Sequence, residues 1–218
     1  MISISDSIRK LVLQTPFLEE GLIEGIINLS ALARKLKPRI EARLVKNASE
    51  GAMVMALKRL AGELQKKRHE QKKLSSYFGD ITVRSHICEF TFQKSETFLG
   101  RQMKLLKELQ QNPDTFITFT GGVQEITVLV SLEMKGLVEK IFREETRISA
   151  YDRLSAIIMR LSSDTVLTPG IYYTILKQLA WEEINVVEVV STYREFIVIL
   201  QEAQVDRAFS TLKDLIWS

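Results

Sequence analysis

The stretch Leu154–Leu200, LSAIIMRLSSDTVLTPGIYYTILKQLAWEEINVVEVVSTYREFIVIL, decides how this chain is read. β-Branched residues crowd its ends and a spaced apolar pattern fills its middle, so it reads strand, loop, helix, strand, strand. Pro169 and Gly170 mark the start of the helix. Proline is tolerated in a first turn, where its missing N–H would have had no partner, and glycine lets a backbone or ligand come close. From there Ile171, Ile175, Leu176 and Leu179 recur at helical spacing. That order is half of a small α+β sandwich.

Upstream, from Cys88, the same order recurs. ICEFTFQKS reads as a strand, ETFLGRQMKLLKELQ as a helix, TFITFT and VQEITVLV as two strands across a turn at Gly121-Gly122, and MKGLVEKIF as a short helix. An internal duplication of this kind implies two modules packed side by side. Each approaches the ferredoxin-like order βαββαβ, yet Ser218 follows the last helix too soon for a fourth strand in the second module. The alternating segment Ile81–Ser85 is expected to complete that sheet, which would make the two modules inseparable.

TPGIYYTILKQLAWEEINVVEVVSTYREFIVIL resembles an ACT domain, the small ligand-binding module attached to many enzymes and regulators of amino-acid metabolism. The resemblance lies in the Pro-Gly helix start, the Ile184-Asn185-Val186 strand start and the closing apolar strand; Gln204–Leu215 fits the module's second helix. Glu183 departs from the pattern, standing where a glycine is usual, and the first copy lacks the Pro-Gly signature. The paired ACT domains of aspartate kinases are interleaved in the way the strand count suggests here. The resemblance implies an amino-acid effector contacting the loop Ser162–Thr168 and the start of the following strand, hence Asp164, Thr165, Thr168, Gly170, Ile171 and Asn185. The residues themselves allow this. The loop joins a strand end to a helix N-terminus, where free N–H groups and the helix dipole favour a carboxylate. Asp164 could pair with an amino group, and Asn185 offers both a donor and an acceptor. Asp164 and Thr168 are equally at home as plain turn and cap residues, which leaves a purely dimerising module as the other reading.

The N-terminal third differs in pattern and charge. Residues 1–76 hold 15 Lys and Arg against 8 Asp and Glu, a balance of +7, whereas residues 77–218 hold 15 against 19, a balance of −4. A helix is expected over Ser3–Leu13, with Ser3 or Ser5 as its cap, and helical spacing resumes through Phe17, Leu18, Leu22 and Ile26. A further helix starts at Asn28 or Ser30 and is disturbed near its end by Pro38; another opens at Ser49-Glu50, with Met53, Leu57, Leu60 and Leu64 in its apolar set. The pair of segments INLSALARKL and NASEGAMVMALKRL resembles the second and third helices of a helix-turn-helix or winged-helix DNA-binding domain. Set against this, KPRIEARLVKNAS is longer than a simple turn. The resemblance, with the basic run KKRHEQKK, implies nucleic-acid contacts at Arg34, Lys35, Ser49, Lys58, Lys66, Lys67 and Arg68, since basic side chains release counterions from phosphates. A solvated basic face of a docking domain is the alternative. Ile81–Ser85 has the same periodicity whether it forms a wing or a sheet strand.

The fold expected is α+β: a helical, winged-helix-like domain over 1–76, then a tandem ACT-like domain over 77–218. Its ferredoxin-like modules span about 86–150 and 151–218, interleaved through 81–85. No apolar run approaches the ~20 residues a membrane helix needs, and MISISDSIRK lacks a secretory pattern, so a cytoplasmic protein with no membrane partner is expected. No nucleotide-binding glycine loop and no nucleophile elbow is present, and the single Cys88 and the two histidines, His69 and His86, make neither a metal set nor a catalytic set. No enzyme activity, cofactor or metal is expected. The expected function is a homodimeric regulator of transcription that senses an amino acid or related small molecule. The alternative is an interaction protein docking on an enzyme of amino-acid metabolism.

Overall fold

The computed structural model describes residues 3–15, 17–45, 47–70, 73–110 and 115–217, with side chains except at 67–70. The chain divides into a unit over Met1–Lys72 and a unit over Lys73–Ser218.

The first unit has four helices: α1 Ile4–Leu13, α2 Leu18–Ile23, α3 Leu29–Leu44 and α4 Glu50–Glu70. Ser3 caps α1 in a capping box, its Oγ accepting from the Asp6 N–H at 3.1 Å while Asp6 accepts from the Ser3 N–H at 3.2 Å. Asn28 caps α3 by accepting from the Ala31 N–H at 3.0 Å. Ile8, Leu11, Val12, Leu22, Leu36, Ile40, Met53 and Leu57 make the core. Pro38 does not end α3, which runs on to Leu44. A mid-helix proline loses one hydrogen bond and crowds a carbonyl one turn back, but continuing the helix buries Ile40 completely, a gain of roughly 2–3 kcal/mol. The connector to α4 thereby shrinks to residues 45–49. Among the described residues this unit contains no strand, and Ile81–Ser85, readable as a wing or a sheet strand, lies in the sheet of the second unit.

The second unit runs β1 Phe78–Gln93, α5 Phe98–Leu109, β2 Ile117–Gly121, β3 Glu125–Ser131, α6 Lys135–Ile141, β4 Arg147–Leu161, α7 Ile171–Trp181, β5 Val186–Ser191, β6 Glu195–Gln201 and α8 Val205–Trp217. The strands form one antiparallel sheet in the order β2-β3-β1-β4-β6-β5. Two long strands are shared. The later part of β1 pairs with β3, from Ile87↔Ser131 to Gln93↔Glu125, while its earlier part meets only β4, from Ile81↔Met159 to Arg84↔Ala156. β4 mirrors this, its later part pairing with β6 from Leu154↔Gln201 to Arg160↔Glu195. Each half thus contains four strands in the order of a βαββαβ unit. The change of partner falls at matching bulges. His86 and Arg153 have φ of 59° and 55°, and the residues after them, Ile87 and Leu154, face each other across the ladder.

One face of each half carries its own helices. α5 and α6 cover Cys88, Phe90, Phe92, Val128 and Val130; α7 and α8 cover Ile157, Met159, Phe196, Val198 and Leu200. The opposite faces share a single cluster, in which Leu129 of β3 is buried with Ile197 and Ile199 of β6. In a flat sheet β2 and β5 would stand about 24 Å apart, five gaps of about 4.8 Å. The Thr120 hydroxyl of β2 nevertheless lies close enough to the Glu188 carboxyl of β5 to act on its proton affinity. The bulged ribbon of β1 and β4 therefore turns the two halves toward each other.

Candidate functional site

The segment after β4 is pinned from below. The Ser162 N–H and the Thr165 hydroxyl both donate to the carbonyl of Tyr77, at 2.9 and 3.0 Å. Thr165 is 4% exposed, so its hydroxyl holds the loop rather than facing solvent. Residues Ser163–Leu167 form one tight turn, and the Thr168 hydroxyl donates to the Asp164 carbonyl at 2.9 Å. Gly170 precedes α7 with φ of 91°, a conformation that disfavours any side chain, and α7 has no side-chain cap. The first N–H groups of α7 are therefore oriented as an anion-binding helix start would be. Asp164 and Gly170 are exposed, while Ile171 belongs to the core.

The structure brings Asp164, Thr165, Thr168, Gly170 and Ile171 together and separates Asn185 from them. The loop adjoins the β5–β6 hairpin, the Leu161 N–H donating to the Arg194 carbonyl at 2.7 Å and the Tyr172 hydroxyl lying 3.0 Å from Ser191 Oγ. Asn185 precedes the opposite end of β5, about 17 Å of strand away. The residues that do neighbour the loop are Tyr172, Ser191 and the Tyr193-Arg194 tip, where the guanidinium lies 5.3 Å from the Tyr193 ring centre. Sequence reading missed them. Hairpin residues give no sign of which loop they will meet.

Glu183, the departure from the glycine pattern, has φ of 53°. It closes α7 in a Schellman arrangement: the Ile184 N–H reaches the Leu179 carbonyl at 2.9 Å and the Glu183 N–H the Ala180 carbonyl at 3.1 Å. The turn forms with glutamate at a position that favours glycine.

The corresponding place in the first half is already filled. Before α5, Ser95 Oγ and Thr97 Oγ1 donate to the Glu145 carboxylate at 2.6 and 2.7 Å, and Arg101 Nε pairs with it at 2.6 Å. Burial pushes this carboxyl up, but the two hydroxyls and the guanidinium outweigh it and hold Glu145 below the usual carboxylate range. A cavity of about 370 Å³ lies beside it, with Phe90, Phe92 and Phe142 in its wall and Arg143 and Arg147 at its rim.

His86 and Cys88 do not form a reactive pair. The bulge at His86 breaks the alternation, leaving His86 exposed and Cys88 buried. Burial, with Asp152 nearby, pushes the thiol up to about 11.

Of the basic residues expected at nucleic acid, Arg34, Lys35, Lys58 and Lys66 are exposed, as is Ser49. Lys58 and Lys66 lie within about 80° of each other around α4 at 100° per residue, and Ser49 precedes its first turn. The side chains of Lys67 and Arg68 lie outside the described residues. No helix is long and apolar enough to cross a membrane among the described residues.

No family model matches the chain, and no curated protein matches it. Solved structures do. Clostridium acetobutylicum aspartate kinase matches with a TM-score of 0.54 at 13% identity, over 68% of this chain and 37% of that one. The regulatory subunit of aspartate kinase from Thermus thermophilus, in a ligand-free form, matches with a TM-score of 0.52 at 8% identity, over 64% of this chain and 98% of that one. E. coli aspartokinase III in complex with aspartate and ADP matches with a TM-score of 0.52 at 10% identity, over 65% and 34%. The chain spans about a third of the length of the two whole kinases and nearly all of the regulatory subunit. At these identities the likeness is one of fold: an ACT-like architecture of the kind found in aspartate kinase regulatory regions.

Proposed function

We propose that this chain is an effector-responsive regulatory protein without catalytic activity of its own, in which residues 73–218 take an amino acid or a similar small zwitterion and the helical unit carries the output by contacting DNA. The observation that carries the reading is the asymmetry between the two helix starts. Before α5 a carboxylate of the chain is held by two hydroxyls and an arginine. Before α7 stands Gly170, with no side chain to block the helix start. A ligand carboxylate would take there the place that Glu145 takes in the first half. Asp164 in the loop and Arg194 in the adjoining hairpin would offer opposite charges, one for each end of a zwitterion. Fold likeness to a regulatory subunit supports a sensing role for this unit.

The loop's anchor suggests how occupancy would be passed on. Ser162 and Thr165 hold the Tyr77 carbonyl, and Tyr77 closes the short turn Leu74–Tyr77 that follows the helical unit in the chain. A shift of the loop must move that junction or break two hydrogen bonds. The DNA part rests on the charge of +7 over residues 1–76 and on the exposed basic positions of α3 and α4.

The test is a thermal-shift screen against the common amino acids, because a ligand that binds only the native state raises the melting temperature. A saturable rise for one compound, lost in Asp164→Ala and Arg194→Ala but retained in Asn185→Ala, is the expected result. Flat melting curves at millimolar concentrations overturn the sensor reading and leave an interaction module that docks through apolar surface. DNA binding by the full chain should weaken steeply with salt; binding indifferent to salt, or none, removes DNA from the proposal.

A further inference from the structure

Between the two facing halves of the sheet lies a group of oxygens that the loop site does not use. Glu89 of β1 sits on the inner face beside Leu129 and is 6% exposed. One of its oxygens, Oε2, is buried without a hydrogen-bond partner, and so is the hydroxyl of Thr118 on β2. Thr118 and Glu89 both flank Leu129 in the ladder, so they share this face. Glu188 of β5 comes across from the other half, close enough for its charge to act on Glu89, with the Thr120 hydroxyl near enough to act on it. Thr91, two residues along the same face, has its hydroxyl 3.1 Å from that of Thr127. No lysine or arginine figures among the groups acting on either carboxyl. Two carboxyls and two orphaned oxygens are thus held together by the fold, with no balancing cation acting on either carboxyl among the described residues, and a buried polar group without a partner is unfavourable.

We infer that this cleft is a binding site for one small cation, held by Glu89, Glu188 and Thr118 between the two halves of the sheet. The unused oxygens suit a primary ammonium, whose three N–H groups need three acceptors. They also suit a hard metal ion that keeps water in the rest of its shell, as magnesium does with one or two carboxylates. Access is from the side where Glu188 is half-buried and Thr120 is exposed. The chain supplies no third acidic, imidazole or thiol group there among the described residues, so a fully protein-built metal cage is not part of the inference. It does not depend on the effector reading of the α7 loop.

The full chain, stripped with a chelator and exchanged at pH 8.5 into tetramethylammonium chloride, is melted with sodium, magnesium, calcium or n-propylammonium chloride at constant ionic strength. One of these should raise the melting temperature saturably, by about 5–10 °C at a hundredfold excess over its Kd. Magnesium or calcium acting alone identifies a metal; n-propylammonium acting alone identifies an amine. Both Glu89→Gln and Glu188→Gln should abolish the rise while melting like the parent at pH 5, which shows that they fold. Calorimetric titration of the parent with the active cation gives a second readout that needs no variant. Equal melting in every salt, or a rise that survives both substitutions, overturns the site. An α7-loop variant such as Arg194→Ala should leave the rise intact, which separates this site from the effector site.

Discussion

Replacing Glu89 with glutamine should flatten the dependence of stability on pH between pH 5 and pH 8.5. Burial first, and the charge of Glu188 second, push the Glu89 carboxyl up to about 7, against a small opposing effect from the Thr91 hydroxyl. The folded chain therefore holds this proton more tightly than the unfolded chain, whose carboxyl titrates near the ordinary 4.5. The stabilisation is complete below pH 4.5, declines as pH rises, and is lost once pH passes about 7. The rise from 4.5 to about 7 is worth about 3 kcal/mol at ~1.4 kcal/mol per unit. Asp6, Glu144 and Glu145, all held low, change protonation below this window. The assay is urea denaturation in tetramethylammonium buffers at pH 5, 7 and 8.5, where no small cation competes with the proton. Wild type should lose about 3 kcal/mol across the range through Glu89, a fall in melting temperature of about 6–12 °C for a domain of this size, and Glu89→Gln should lose clearly less, the remainder coming from Glu188, which burial also holds up. If the variant keeps the slope of wild type, the carboxyl is not buried against Glu188 and the facing of the two halves is wrong.

Three other substitutions or truncations test the remaining steps. Glu183→Gly should stabilise the chain by about 1 kcal/mol, because a side chain is disfavoured at its φ of 53° by about 1–2 kcal/mol, of which glycine's greater freedom in the unfolded state takes back part; urea midpoints measure it. Glu145→Ala should destabilise by about 1–2 kcal/mol, since the Ser95 and Thr97 hydroxyls lose their acceptor while Arg101 keeps Glu144 and the Ile141 carbonyl, and an unchanged urea midpoint would show that this corner does not hold the start of α5. Residues 147–218 expressed alone should not melt cooperatively, because β4 then lacks the early part of β1 that pairs with it from Ile81 to Arg84.

The α+β class and the ACT-like character were legible because strand and helix periods alternate cleanly after Cys88. What stayed hidden depends on contacts across the fold. Pro38 follows a local rule that predicts a helix end, but the burial of Ile40 outweighs it. Asn185 stands at the start of a strand, and only the antiparallel direction of β5 shows that this start is remote from the loop after β4. Ile81–Ser85 alternates as a wing or a sheet strand would, and its partner β4 decides between them. Glu89 and Glu188 occupy polar positions in alternating strands, which sequence alone assigns to solvent. They face each other because bulges at His86 and Arg153 bend the two shared strands, and nothing in the residue types there announces a left-handed φ. Glu145 lay in a short connector and carried no motif.

The two halves are built on the same plan but are not equivalent, and the difference lies in what each helix start is given to hold. In the first half, Glu145 ties the start of α5 to the segment before β4, so that corner is fixed by the chain itself. In the second, the loop before α7 is tied instead to Tyr77, at the edge of the segment that leads to the helical unit. Thr165→Val separates binding from transmission, because it removes only the hydroxyl that reaches the Tyr77 carbonyl at 3.0 Å. One of two hydrogen bonds to that carbonyl survives through the Ser162 N–H, and the loss should be about 1 kcal/mol of stability. The variant should keep the melting shift produced by whichever amino acid stabilises wild type, since α7 and its start are untouched. Its DNA affinity should no longer change when that amino acid is added. If Thr165→Val responds to the effector as wild type does, the Tyr77 anchor is a structural tether only, and coupling between the two units, if it exists, must run through another part of the chain.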